Sequence, residues 1–251
     1  MSVIEWAFDQ AVPGARVRAG FTQRRGGVSE GPYAQLNLGF HVGDDPQAVR
    51  SNREILEACV PGLGWMDQVH GRAIALAEAG RTAGATDALV VDPADNGCTA
   101  AAVMVADCVP LLIVARDQPV AAAVHVGRGG FLASIAPGVV AAMRARGCHD
   151  LVAILGPSIC GRCYEVPAEM RAEAEAVAAE AASTTSWSSP SIDIPAGLVS
   201  QLKLNGVSNV IRSDSCTFED EAFFSHRRAT AAGTQTGRFA GVVQVLRDTP
   251  A

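Results

Sequence analysis

Three residues whose side chains bind divalent metals stand at or beside apolar runs: His70 within Gln68-Val69-His70-Gly71, Cys108 after the run 100–106, and His125 at the end of 120–126. One thiolate and two imidazoles suit zinc, and three protein ligands leave a fourth position open, as catalytic zinc sites do. Copper would bind the same set tightly by the usual ordering of divalent metals. Residues of these types at strand ends also occur buried and inert, and the three form no compact Cys-x-x-Cys pairing. A second chemistry is open to them: Cys108 as a nucleophile with His70 as its base. A metal-bound thiolate is not free to attack, so the two readings exclude one another.

The elements around these residues are strand-rich. Runs 87–91, 99–106, 110–115, 120–126 and 151–155 are apolar and of strand length, as expected for strands buried on both faces. If 100–106 and 120–126 are neighbours, Cys108 and His125 reach one rim of a sheet, and His70 begins a further strand. The first forty-five residues, rich in glycine and turn formers, read as short strands and loops. Asp45-Pro46 opens a helix that buries Val49, Ile55 and Leu56 and ends at Pro61-Gly62. A helix over 131–146 is expected, with a kink or late start at Pro137-Gly138, and another over 168–182. Residues 183–190 read as a mobile polar loop, 195–204 as a helix capped by Asp193, and 210–211 and 241–246 as strands. No linker divides the chain, so 1–251 reads as a single α+β domain.

Composition narrows the function classes. Hydrophobic residues are 49% of the 251, which supports a large core, and aromatics only 5%, so that core must be aliphatic. The net charge of −6, with no cationic cluster, argues against a nucleic-acid backbone as partner. No leader pattern or run near ~20 apolar residues is present, so a cytoplasmic protein with no membrane contact is expected. Seven irregularly spaced cysteines fit reduced thiols better than a disulfide framework. Cys160-Gly161-Arg162-Cys163 invites a redox reading, but it follows a Gly-Pro turn rather than opening a helix.

The order of motifs resembles the YfiH-type laccase-domain family. It runs from Arg24-Arg25-Gly26-Gly27 and Leu36-Asn37-Leu38-Gly39 through Gln68-Val69-His70-Gly71, Thr86-Asp87-Ala88-Leu89 and Ala106-Asp107-Cys108-Val109-Pro110. It continues with Ala123-Val124-His125, Tyr164-Glu165-Val166, Cys216-Thr217, Phe223-Phe224-Ser225-His226-Arg227-Arg228 and Thr236-Gly237-Arg238. The resemblance implies packed mixed β-sheets flanked by helices, and zinc on His70, Cys108 and His125. It further implies phosphorolysis of adenosine, inosine and methylthioadenosine, with adenosine deamination. Two departures stand out: Arg128-Gly129 where the family carries Trp-Arg, and His226 where it carries Tyr.

Purine nucleosides and phosphate are thus the expected partners, and the chain is expected to be monomeric. Cys108, Asp107 and Arg24 are the catalytic candidates, and Arg24, Asn37, Arg128, Glu165 and Arg227 the substrate-binding ones. Arg24 leads for phosphate, because a guanidinium fork beside glycines matches phosphate oxygens. Arg227 and Arg238 follow. Asp107 is either a proton shuttle or an anchor that orients a ligand, and Glu165 is the other available carboxylate. The zinc-deaminase signature His-x-Glu with Pro-Cys-x-x-Cys is absent, so deamination would need a different shuttle. Two competing classes are a copper phenol oxidase, against which the lack of His-x-His pairs argues, and a binding module or peptidoglycan-precursor hydrolase using cysteine or metal.

Overall fold

Apolar runs without alternation demand a sheet covered on both faces, and the computed structural model, described for residues 3–248, supplies one. In chain order the strands are β1 (Ile4–Val12), β2 (Ala15–Thr22), β3 (Leu63–Asp67), β4 (Ile74–Leu76), β5 (Thr82–Ala85), β6 (Ala88–Val91) and β7 (Ala100–Val105). They continue as β8 (Val109–Ala115), β9 (Ala121–Val126), β10 (Leu151–Leu155), β11 (Ala182–Thr184), β12 (Pro190–Ile192), β13 (Asn209–Arg212) and β14 (Phe239–Arg247). The helices are α1 (Pro46–Cys59), α2 (Pro93–Asn96), α3 (Arg128–Leu132), α4 (Ile135–Arg144), α5 (Ala168–Val177), α6 (Ile194–Leu204) and α7 (His226–Ala231).

One six-stranded sheet runs β1-β2-β14-β7-β3-β5 and the other β13-β10-β8-β9-β6-β4. Both are mixed. The strands of the second alternate between two cores: Leu111, Ile113, Ala122 and Val124 face α4 and α6, while Leu112, Val114, Ala121 and Ala123 face the first sheet. The first sheet is covered on its far side by α1 through Leu56 and by Val60 just after it. The layers are therefore helix, sheet, sheet, helices, with the central strands β10, β8, β9 and β6 of the second sheet buried on both faces. This is the expected single α+β domain of packed mixed sheets flanked by helices. Among the described residues no helix is long and apolar enough to cross a membrane.

The local readings hold at α1, where Asp45 accepts from the Gln47 amide at 2.9 Å, and at α6, where Asp193 accepts from Ala196 at 2.8 Å. Four expectations are corrected. The helix over 131–146 begins earlier and breaks before the proline, at Ser134, whose φ of 57° ends α3 and starts α4. The helix over 168–182 ends at Val177. Residues 183–190 are no free loop: β11 and β12 pair antiparallel, and the Thr185 and Ser189 hydroxyls close the turn at 2.9 Å. Finally, 100–106 and 120–126 are not partners in one sheet: β7 lies in the first sheet and β9 in the second, and they meet across the core between the sheets.

Candidate metal centre

Cys108 and His125 meet by another route than direct pairing of their runs. After β7 the chain crosses between sheets through Asp107 (φ 88°) and returns as β8, which pairs antiparallel with β9. Pro110 lies opposite His125, so Cys108, two residues earlier, sits at the rim where β9 ends. His70 does not begin a strand. It lies in a loop with φ 60°, in the left-handed region that non-glycine residues seldom occupy. Backbone strain of this kind persists only where surrounding contacts fix it.

Those contacts come from Asp87. Its fully buried carboxylate accepts the His70 amide at 2.9 Å, the Gly71 amide at 2.7 Å and the His125 Nδ1–H at 2.8 Å. The bond at Nδ1 fixes a His125 proton there and turns Nε2 toward Cys108, where a metal would take the place of the second proton, the arrangement that orients metal-binding histidines. The ligand atoms of His70, Cys108 and His125 lie within 4.8 Å of one another, and His70 Nε2 is 3.9 Å from Cys108 Sγ.

The charges suit a cation. Burial opposes ionisation of Cys108, but hydrogen bonds from His125 and His70 outweigh it and lower the thiol to about 6. Burial likewise opposes charge on His125, yet Asp87 and Cys108 raise it to about 9. Burial alone would raise the Asp87 carboxyl; His125 and the two loop amides hold it below its ordinary value instead. A thiolate, an imidazole fixed by a carboxylate and a second imidazole form a donor set that fits zinc or copper.

The glycine-rich turn after His125 has a steric cause. A Cβ on Gly127 would lie 2.8 Å from His70 Cδ2 and 3.1 Å from Cys108 Sγ, and one on Gly129 would lie 2.6 Å from the His70 carbonyl oxygen. Neither glycine has a positive φ. The turn simply opens α3, so Arg128 reaches the cavity wall as a first-turn helix residue. Gly127→Ala should therefore displace His70 or Cys108 and lower metal content while secondary structure is kept, read by elemental analysis and circular dichroism. Unchanged metal content would refute this packing argument.

A cavity of about 940 Å³ opens over the triad. Asp107, Arg128, Arg227 and Arg238 line it, with Tyr164, His41, His226 and Asp67. Apolar wall comes from Met66, Met104, Ile159 and Ile194. Among the described residues the Arg238 guanidinium donates to the Gly237 and Thr236 carbonyls alone, at 3.0 and 3.4 Å. Burial lowers its guanidinium, opposed by the negative charge of Cys108 and Asp107. Arg227 Nη1 donates to the Glu165 carbonyl at 2.8 Å and its guanidinium stands over the Tyr164 ring. Arg128 is paired with Glu173 at 3.0 Å.

Several candidates lie elsewhere or do other work. Arg24 lines a separate cavity with Arg228 and Thr236; its Nε donates to the Ala34 carbonyl at 2.7 Å and its guanidinium covers Phe224. Asn37 is fully buried and ties the Gly39, Asp44 and Arg238 backbones and side chains together, away from the cavity. The Glu165 carboxylate accepts from Trp187 Nε1 at 3.0 Å. Asp107 orients no ligand histidine: its oxygens accept the Thr217 hydroxyl and the Arg227 amide, both at 2.6 Å. Sequence reasoning missed Asp87, although it heads a buried apolar run. It also missed Asp67, an exposed cavity carboxylate with no hydrogen bond or ion pair among the described residues.

Comparison with known proteins places this architecture. A family model described as multi-copper polyphenol oxidoreductase laccase matches residues 18–246. The chain belongs to this family. It is 45% identical over 236 residues to a Streptomyces coelicolor protein named purine nucleoside phosphorylase, covering 89% of this chain and 93% of that one. A Pseudomonas aeruginosa protein of the same name is 38% identical, covering 91% and 93%. The crystal structure of a Neisseria meningitidis protein superposes with a TM-score of 0.84 at 33% identity, over 98% of this chain and all of that one. Bacillus licheniformis YfiH superposes at 0.81 with 26% identity, over 94% and 98% of the two chains, in line with the resemblance read from the motifs.

Proposed function

We propose that this protein is a metal-dependent purine nucleoside phosphorylase. The observation that carries the reading is one cavity that joins a His70–Cys108–His125 donor set to the cations Arg227 and Arg238. The names of its relatives support the same chemistry. Phosphorolysis needs an anion held beside a ribose on which positive charge develops, and a flat base that leaves. Arg238 has no carboxylate partner among the described residues, so its fork is free to bind phosphate oxygens, with Arg227 beside it and Arg128 at the rim. Met66, Met104 and Ile159 form the apolar wall against which the purine rests. Asp67 accepts a hydrogen bond from the base or carries a proton to it as it leaves.

His70, Cys108 and His125 would hold the ion, for which zinc is the proposed metal. When bound, it supplies Lewis acidity toward a substrate atom at the open position. Asp87 keeps His125 in the tautomer that ligates, and Asp107 fixes the start of α7 so that Arg227 faces the cavity. Adenosine deamination would need a carboxylate that can move a proton near the metal; Asp107 is held by the Thr217 hydroxyl and the Arg227 amide, which makes the unbonded Asp67 carboxylate the candidate shuttle.

The test uses protein prepared without added copper, assayed for hypoxanthine release from inosine with and without phosphate, alongside metal analysis. Release that requires phosphate and falls with metal content in His125→Ala is the expected result. Release that ignores phosphate, or phenol oxidation as the sole activity, would overturn the proposal.

A further inference from the structure

A second group of soft ligands lies outside the cavity. Cys160, Cys163, Cys216 and Glu219 place their sulfur and carboxylate atoms within 4.8 Å of one another. Each half of the group spans four residues, Cys160-x-x-Cys163 and Cys216-x-x-Glu219, which brings two ligands from one turn into a single site. Corresponding ligands of the two halves lie 56 positions apart in the chain, and an isolated bridge between Ser158 and Cys216 joins the segments. We propose that these four residues bind a structural zinc ion.

The surroundings match that assignment. With Zn–S near 2.3 Å, tetrahedral sulfurs lie about 3.8 Å apart, inside the spread found here. Two backbone amides point at sulfur: Cys160 N–H donates to Cys216 Sγ at 3.4 Å, and the Arg162 amide donates to the Cys160 sulfur. Amide donors of this kind support thiolate charge. Cys163 Sγ lies 3.4 Å from Glu219 Oε1, and Arg162 Nη2 lies 3.6 Å from the other carboxylate oxygen, where it offsets part of the negative charge. Cys163 and Cys216 are buried against Ile159 and Phe218, whereas half-buried Cys160 lines a separate cavity of about 290 Å³ that offers an entry path. Three thiolates favour zinc over magnesium or calcium. Four protein ligands close the coordination, so the ion braces rather than reacts.

What it would brace is the cavity wall. Ile159 and Tyr164 flank the first pair of cysteines and line the cavity. On the other segment Thr217 holds Asp107, and the Thr217 and Phe218 carbonyls receive Arg228 of α7, which carries His226 and Arg227. A zinc ion across 160–163 and 216–219 would fix these two walls to one another. A disulfide is the competing state: it could consume two of the three thiols and would leave the third unpaired.

The experiment measures zinc bound after reconstitution under reductant. A His70→Ala/His125→Ala variant should keep one equivalent of zinc and, with cobalt instead, show strong thiolate-to-metal charge transfer. Adding Cys216→Ser should abolish both. Glu219→Ala in the otherwise native chain touches an exposed side chain, so it keeps the test alive if the combined variants do not fold; it should weaken zinc retention against a chelator at least tenfold at one of two equivalents. Retention in Glu219→Ala equal to that of the native chain would overturn the site. So would absence of zinc from a folded His70→Ala/His125→Ala variant, or a Cys160–Cys163 or Cys160–Cys216 disulfide persisting in reductant. The outcome is independent of the nucleoside reading.

Discussion

Asp87→Asn is expected to cost the protein roughly ten- to a hundredfold in metal affinity, the usual loss when the partner that orients a ligand histidine is removed. The reason lies in a count of donors. Oδ1 receives the His70 amide and His125 Nδ1–H, while Oδ2 receives the Gly71 amide. Asparagine keeps one acceptor and replaces the other by an NH₂ group. Whichever way the amide is turned, that group faces a backbone N–H or His125 Nδ1–H. If the imidazole yields by moving its proton to Nε2, it loses the lone pair that binds metal. Stability falls too, because breaking one partner of a buried charged pair costs about 3–5 kcal/mol. For a chain of this size each kcal/mol shifts Tm by about 2–4 °C. Elemental analysis and thermal unfolding of metal-free and metal-loaded protein check both parts. Native metal content with an unchanged Tm would show that Asp87 supports neither the His70 loop nor His125.

How far the site was readable depends on whether a residue's role is local. Cys108 and His125 could be read because each ends a continuous apolar run, and such runs deliver their ends to a rim. Which rim was not readable. The runs before Cys108 and through His125 lie in different sheets, and it is the β8–β9 register that joins the two residues. His70 was recognisable by type, but not its left-handed backbone, since the amides that hold it bond to a residue seventeen positions on. Asp87 reads in the sequence as the first residue of the run 87–91; only the fold shows the His70 and Gly71 amides and His125 Nδ1–H converging on it, with the Val69 amide at 3.4 Å. The Cys160-x-x-Cys163 pair was visible and its redox reading was set aside on its place after a Gly-Pro turn, but no metal reading could replace it, because its partners Cys216 and Glu219 arrive through tertiary contact alone. Arg24 was the reverse case. Its glycine neighbours suggested an anion site, yet Gly27 is small because Asn52 and the 35–36 backbone press against it.

That difference between Arg24 and the cavity arginines gives the other large expected effect. If phosphate binds where the reading above puts it, Arg238→Ala should raise the phosphate concentration for half-maximal inosine cleavage about ten- to a hundredfold, since hydrogen bonds to charged groups contribute roughly 1.5–3 kcal/mol. Arg227→Ala should act in the same direction. The geometry keeps the loss local. Arg238 ties its loop to Asn37 through its backbone amide, at 2.9 Å, and that bond survives the substitution. Among the described residues its guanidinium bonds only to carbonyls of its own loop, so the substitution leaves none of their carboxylates unpaired. Arg24→Ala should leave the phosphate dependence near native, because α7 turns Arg228 and Ala229 toward the Arg24 cavity and His226 and Arg227 toward the metal one. Metal content measured on the same samples separates a phosphate effect from a collapsed site. Arg238 and Arg227 variants with native phosphate dependence, beside an impaired Arg24 variant, would move the anion site to the far side of α7 and with it the direction from which phosphate approaches the ribose.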